Sequence, residues 1–475
     1  MTLSPHDLAS RAVQQRWRLI RQHTLIGWML VAGQAVVFAQ AGQADVQQPV
    51  DSAETSVQLQ TFDAVWNQVR EQYFDYSRIE QDWLSARETW RPQAAGASRA
   101  ELRGLLNDML EVVGESHFIV LPPTQITIPG NEDNAASGAV ADEAQGSEPA
   151  DQPTGLGVRL IDDALVIDRV AEINAEQIQP GWLLVAIGDQ VLQPLIEETL
   201  DITEPAARKR ATLYLEASAN ALIAYQSADE PVTLTLLDAD YEERIVTPNT
   251  DPESLNIVQI GNLPGLAFQY RADTLGEPES CIGRITFTSW VPELMERFLE
   301  NRDALFACRG LIIDLRGNLG GVLTTMMPLT SHLVDEVVLL GQLKREDGRI
   351  DFRAFPRTVA DDGSRITPFD GPVAILIDSL SASTSEMFSA GVQSLGRARI
   401  FGSQSPGMAL PAQMLPLPNG DRLMYAFADY IDGQGRRIEG IGVVPDQPIN
   451  PTRAELLEGD DLPLEAAIKW IQASQ

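Results

Sequence analysis

From about residue 260 onward, short apolar runs alternate with stretches of helical spacing. Residues 282–287, 311–315, 373–377 and 398–401 are strand-length and apolar, while 293–305, 323–337 and 384–395 have the length and spacing of helices. This alternation predicts an α/β domain over residues 260–455 with a largely parallel sheet, followed by a C-terminal helix over 456–475.

The upstream half follows different periods. Phe62, Val65, Trp66, Val69 and Tyr73 recur at helical spacing, and Leu102, Leu105, Leu106, Met109, Leu110 and Val113 repeat the pattern. A helical N-terminal domain is predicted over 58–123. Residues 124–154, rich in small, acidic and Pro residues without periodicity, read as a flexible linker. Between 155 and 250 the runs 156–161, 165–170, 182–187 and 232–237 are strand-like, punctuated by Gly181 and Gly188-Asp189, which predicts a small β-rich module.

The 475 residues carry 35 Lys+Arg against 67 Asp+Glu, a net charge of −32. Such a field repels phosphate backbones and excludes nucleic acid as a partner. Lysine occurs only at 209, 344 and 469, and histidine only at 6, 23, 117 and 332. Residues 1–44 have the form of an export signal: Arg11, Arg16, Arg18 and Arg21 precede the uncharged apolar run 24–38, and Ala39-Gln40-Ala41 offers a cleavage site. The run falls short of the roughly 20 residues of a spanning helix. Left uncleaved, it would be the chain's one membrane anchor; either way the body is exported, to a periplasmic or extracellular space. In that oxidising setting Cys281 and Cys308, each preceding a predicted strand, form a disulfide or remain two buried thiols. Two cysteines and two distant histidines do not make a metal site, and no cofactor is expected.

In an open α/β sheet, chemistry gathers where strands end and helices begin. One junction carries Arg316-Gly317-Asn318-Leu319-Gly320-Gly321; another carries Ser379, Ser381, Ser383 and Ser385 within seven positions at a helix start. Serine before a helix is ordinarily a cap, but four exceed what one cap needs. A serine there also lies beside free N–H groups that could stabilise an oxyanion, and a Gly-Gly turn lets backbone approach closely.

Three segments, 314–321, 381–386 and 439–446, resemble the core motifs of the C-terminal processing (tail-specific) serine peptidases, a family that includes the tricorn protease core and the retinoid-binding-protein repeats. The resemblance extends to Tyr73-Phe74-Asp75, to Gly114-Glu115-Ser116-His117, and to Gly155-Leu156-Gly157-Val158, which is similar to the carboxylate loop of a PDZ module. It implies a crotonase-like catalytic domain with a helical N-terminal domain and a PDZ-like β-rich module. It makes Ser383 the nucleophile, with oxyanion donors at the N–H groups of Thr384 and Gly320, Gly321 being the other candidate. The N–H groups of Leu156, Gly157 and Val158 would grip the C-terminus of a polypeptide substrate.

At the position of the general-base lysine of the processing peptidases the chain has Met408, whose thioether cannot take a proton. The tricorn branch offers another base, and its motifs resemble Ser116-His117 and Glu439-Gly440. His117 would then activate Ser383, with Glu439 orienting the imidazolium through Ser116. Taken without the family, His117 fits a packing residue in a turn and Glu439 a surface residue; the resemblance implies that His332 is structural, since its family counterpart is not catalytic. The resemblance implies an exported serine endopeptidase; the alternative is a catalytically inactive peptide- or ligand-binding protein on the same scaffold. His117 lies in the helical domain and Ser383 in the α/β domain, so the site must form between them, where relative motion could gate it.

Overall fold

The computed structural model describes residues 52–122, 152–226, 231–251, 256–260, 266–345, 347–360 and 362–474. The predicted export signal and most of the predicted linker lie outside the described residues. Among the described residues no helix is long and apolar enough to cross a membrane.

The fold is mixed α/β, as the alternation predicts. A six-stranded sheet runs in the order Tyr270–Leu275, Ile282–Phe287, Leu311–Asp314, Val373–Ile377, Ala398–Gly402 and Gln447–Pro448; the first pair is antiparallel and every later pair parallel. Its central strands are apolar on both faces because both are covered. Ile285, Ile313 and Ile375 point into one core, with Phe298 from the helix Glu293–Phe306 and Phe388 from the helix Thr384–Ser394. Ile312, Ala374 and Leu376 point to the other, against Ala467 and Ile471 of the C-terminal helix Leu462–Ala473. The helix expected over 323–337 is shorter, a 3-10 turn at Leu323–Thr325 running into Met326–Ser331, after which Leu333 and Val334 turn into the core. His332 is buried edge-on against Phe298, a packing residue as expected.

The two cysteine-bearing segments enter parallel neighbours in the sheet, and Cys281 and Cys308 are joined in a disulfide with Cα atoms 4.9 Å apart. Of the two alternatives left open by the sequence, the structure has the bridge.

The N-terminal helices Ser52–Gln72, Tyr76–Ala94 and Arg99–Leu110 pack around Trp66 and Trp83, whose indole N–H groups each donate to the other residue's carbonyl at 3.1 Å. Their core is shared: Leu410, Leu417, Leu423 and Tyr425 belong to the same cluster. The strand Ile119–Leu121 continues the union, pairing with Arg422–Ala426, which in turn pairs with Ala412–Pro416. Arg99 and Arg103 both hold the fully buried carboxylate of Asp421. A charge buried like this is tolerated because it is paired and hydrogen-bonded. The loop carrying His117 is thereby fixed next to the segment that follows the strand Ala398–Gly402.

The strands of segment 155–250 form an antiparallel sheet, with Leu156–Ile161, Ala164–Val170, Leu183–Ile187, Leu234–Leu237 and Glu243–Val246 in that spatial order. The segment also contains two helices that strand-length patterning does not predict, Gln193–Asp201 and the 20-residue Pro205–Ala224. The longer one packs along Leu156–Ile161 on one side and against Leu380, Ala382 and Met408 on the other.

Candidate active site

Ser383 sits at the end of the turn between the strand Val373–Ile377 and the helix Thr384–Ser394, with φ 55° and ψ −118°. A non-glycine residue at positive φ is strained and persists only when its surroundings over-determine it. Those surroundings are visible. The Ser383 N–H donates to the Met408 carbonyl at 3.0 Å, and the Ala382 N–H to the Asn318 carbonyl at 3.1 Å. The other serines of the run hold the turn: Ser381 Oγ donates to the Leu315 carbonyl, Ser385 Oγ to the Asn318 carbonyl, and Ser379 Oγ to Glu216. Three hydroxyls are thus committed to scaffolding around Ser383.

The Gly320-Gly321 turn lies against Ser383. A Cβ on Gly320 would fall 2.6 Å from Ser383 Cβ and 3.1 Å from the Thr384 nitrogen, so only glycine fits. The Gly320 N–H donates to Asn318 Oδ1 at 2.9 Å, while the Gly321 carbonyl accepts from Thr384 Oγ1 at 3.0 Å. Of the two glycine donors, the one first expected at the oxyanion is therefore already engaged. Arg316 of the same loop is structural, bridging Asp314 and Asp461 at 2.7 Å each.

His117 also has positive φ, 62°, just beyond the left-handed Gly114 that ends the 3-10 turn Glu111–Val113. Its Nδ1 lies 2.7 Å from Ser116 Oγ. Ser116, fully buried, donates its N–H to Glu439 Oε1 at 2.8 Å and its hydroxyl to Oε2 at 2.9 Å. A hydroxyl has one proton, and with that proton on Glu439 the Ser116 oxygen can only accept from His117 Nδ1–H. The ring's lone pair is then on Nε2, the tautomer a general base needs. Glu439 is 4% exposed, so the surface reading of this residue gives way to a buried relay. Neighbouring contacts fix the loop: Arg437 holds Glu115 at 2.8 Å, and Tyr73 donates to the same carboxylate at 2.9 Å.

The two halves meet through residues 405–409. Met408 accepts from Ser383 through its carbonyl, and the next N–H, of Ala409, donates to Glu439 Oε2 at 2.8 Å. The Met408 side chain is buried with Leu213, Ala217, Leu380 and Ala382, so the position of the missing lysine is an apolar contact with the helix Pro205–Ala224. Lys209 of that helix donates to the Ile441 carbonyl at 3.1 Å, near this loop.

Burial shapes the titration. It pushes Glu439 up to about 7, against the hydrogen bonds from Ser116 and Ala409 that favour its charge. Glu386 is likewise pushed up to about 7. The His117 ring keeps some solvent exposure, yet loss of surrounding water pushes the imidazole down to about 4.

The strand expected to grip a substrate tail is occupied. The Leu156 N–H donates to Thr154 Oγ1, the Val158 N–H to Asn220 Oδ1 at 3.0 Å, and the Leu160 N–H to Glu216 Oε1 at 2.7 Å; Asn220 also donates to the Val158 carbonyl. Gly157 pairs with Arg169 on the neighbouring strand. The three expected donors do not converge on one open site: Thr154 takes Leu156, Gly157 pairs within the sheet, and Asn220 of the helix Pro205–Ala224 takes Val158 as an added strand would.

A serine at a strained strand-to-helix turn, a glycine turn against it and a buried His–Ser–Glu chain are parts that a serine peptidase uses. The pattern of peptidase family S41 matches residues 281–449, and that of the tricorn protease C1 domain matches residues 58–111. These matches make the chain similar to the C-terminal processing peptidases. It is 22% identical to the carboxyl-terminal-processing protease of Synechocystis sp. over 412 residues, 85% of this chain and 84% of the relative. It is 30% identical to the carboxy-terminal-processing protease of Bartonella bacilliformis over 156 residues, 33% of this chain and 34% of the relative. Among solved structures, the photosystem II D1 C-terminal processing protease is similar in fold, with TM-score 0.52 at 18% identity over 88% of this chain and 97% of that one. Mature CPAF complexed with lactacystin reaches 0.54 at 14% identity over 89% and 98%.

Proposed function

We propose that this serine peptidase is an exported endopeptidase that cleaves polypeptides with His117 in place of the family's lysine base. In this reading Ser383 Oγ attacks the scissile carbonyl carbon while its proton passes to His117 Nε2. The oxyanion is held by the Thr384 N–H and the Gly320-Gly321 turn, where Gly321 is favoured because Asn318 engages Gly320. His117 then returns the proton to the leaving amine, the peptide bond breaks, and a water activated by the same ring releases the acyl group. Glu439 orients and stabilises the imidazolium through Ser116. Tail specificity would come from the PDZ-like module, after Asn220 and Glu216 leave the strand edge.

The observation that carries the reading is the Ser116 hydroxyl between His117 Nδ1 and Glu439 Oε2, which sets the tautomer. A serine-directed fluorophosphonate probe tests it. Labelling should occur at Ser383, vanish in Ser383→Ala, and slow by about 100-fold or more in His117→Ala. Labelling of His117→Ala at the native rate would remove histidine as the base.

A further inference from the structure

We propose that Glu386 is the positioning residue that keeps the nucleophile in register with the His117 relay, an inference that rests on the assignment of Ser383 and His117 above. In the sequence Glu386 is an ordinary capping partner, three residues after Ser383. A capping carboxylate needs one bond, to the N-cap N–H, and is usually exposed. Glu386 is 1% exposed and accepts four. Its Oε1 takes Ser405 Oγ–H at 2.6 Å and the Gly407 N–H at 2.7 Å; its Oε2 takes the Met408 N–H at 2.8 Å and the Ser383 N–H at 3.2 Å.

These bonds connect the two halves of the site. Gly407, Met408 and Ala409 present three successive N–H groups, the first two to Glu386 and the third to Glu439. The Met408 carbonyl between them receives the Ser383 N–H. One short segment is therefore strung between a carboxylate that touches the nucleophile's backbone and a carboxylate that orients the base. Where the processing peptidases use a side chain at this position, the chain uses its backbone, and Glu386 sets where that backbone lies.

Glutamine at 386 is the discriminating change, because its volume is unchanged but one oxygen becomes an NH2 donor. Facing Oε2's partners, the amide would meet the N–H groups of Met408 and Ser383. Flipped, it would meet Gly407 N–H and a Ser405 oxygen that already accepts the Val443 N–H at 2.7 Å. Either way at least one buried backbone N–H, that of Met408 or that of Gly407, loses its acceptor and the segment must shift.

The experiment measures the rate of fluorophosphonate labelling at Ser383, and the thermal unfolding midpoint, for the native chain, Glu386→Gln, His117→Ala and the double variant. We expect Glu386→Gln to slow labelling by about 100-fold, and His117→Ala to cost no more than about threefold further in that background. Residues that merely contribute separately would multiply their losses. Labelling of Glu386→Gln within about threefold of native, or fully multiplicative losses, overturns the proposal. If Glu386→Gln does not fold, Ser405→Ala, which removes one of the four donors, decides: a slowing of about threefold to tenfold at an unchanged midpoint supports it, and native labelling overturns it. Should His117→Ala alone label like the native chain, the base assignment fails, and Glu386 is judged on the labelling rate of its own variant.

Discussion

Ser116 and Glu439 stand 323 positions apart in the chain and meet through two hydrogen bonds, both from Ser116 and one to each carboxylate oxygen. The pair ties the His117 loop to the segment that leads into Gln447–Pro448, the last strand of the six-stranded sheet. Glu439→Gln should therefore weaken the chemical step more than substrate binding. An amide cannot accept both the N–H and the hydroxyl of Ser116 through two oxygens, so the hydroxyl turns and the His117 tautomer is no longer held. We expect kcat to fall by about 100-fold with KM within about threefold. Steady-state kinetics on an unfolded polypeptide checks this, and an unchanged kcat would show that the relay is idle.

The pH profile should carry the carboxylates rather than the imidazole. His117, pushed down to about 4, is neutral and able to accept a proton throughout the range above that value. Glu439, raised to about 7, must ionise to hold the relay, so activity should climb as pH rises through about 7, with no separate limb at the usual histidine value. The nearby Glu386 charge raises Glu439 further, and Glu439→Gln removes that mutual repulsion, so the remaining limb should move to lower pH. Stability runs the opposite way. The folded chain keeps protons on these acids to a higher pH than the unfolded chain, so their contribution declines as pH rises from the unfolded value, about 4.5, to about 7. The unfolding midpoint of Glu439→Gln should depend less on pH across that window.

The α/β strands were legible because they are buried on both faces and read as unbroken apolar runs. The helix Pro205–Ala224 was not. Its Glu216, Ala219, Asn220 and Ile223 face the strand Leu156–Ile161, while Leu213 and Ala217 face Met408 and Ala382. With two buried sides and polar residues on one of them, it has no single apolar stripe to announce it. Its composition, rich in Ala, Leu and Arg behind Glu204 and Pro205, was the available signal. Ser383 and His117 were named through motif resemblance, and their partners Asn318 and Glu386 stood inside the quoted motifs without a role. What those residues bond depends on contacts between distant segments, which spacing along one segment does not encode.

Met408→Ala should separate packing from chemistry. The side chain is buried among Leu213, Ala217, Leu380 and Ala382, and only its backbone reaches Ser383. Truncation leaves a cavity that costs roughly 2–5 kcal/mol, read as a lower unfolding midpoint. Labelling of Ser383 should stay within about threefold of native. Met408→Lys should not build a working dyad. It would bury an ammonium in an apolar cluster, at a cost of roughly several kcal/mol, and a stable, faster enzyme would contradict this account of the position.

Reduction of Cys281–Cys308 should destabilise the chain without touching the site. The bridge closes a loop of 27 residues around the helix Glu293–Phe306 and sits where the strands Ile282–Phe287 and Leu311–Asp314 begin, whereas Ser383 follows the end of Val373–Ile377. Loop-closure entropy puts its contribution at about 3.5 kcal/mol. Cys281→Ala with Cys308→Ala should lower the unfolding midpoint and leave the labelling rate unchanged at temperatures where the variant is folded; slowed labelling there would mean that the sheet edge is coupled to the nucleophile.

Asn220→Ala should open the strand edge to a peptide tail. In the native chain the Asn220 amide occupies both the N–H and the carbonyl of Val158, as the backbone of an added strand would. Removing it leaves those two groups without a partner, costing roughly 1–3 kcal/mol of stability that an incoming strand can recover. A peptide with a free C-terminal carboxylate should therefore bind the variant at least about fivefold more tightly than the native chain, a difference of roughly 1 kcal/mol. Glu216, on the Leu160 N–H beside it, is pushed up to about 7 by burial. Below that pH its carboxyl is neutral and no longer repels the tail, so the gain should be larger at pH 6 than at pH 8, whereas an amidated peptide should show little of this pH difference. Equal affinities for native and variant chains at both pH values would mean that tails are recognised elsewhere and that the module serves to hold the helix Pro205–Ala224 against the catalytic loops.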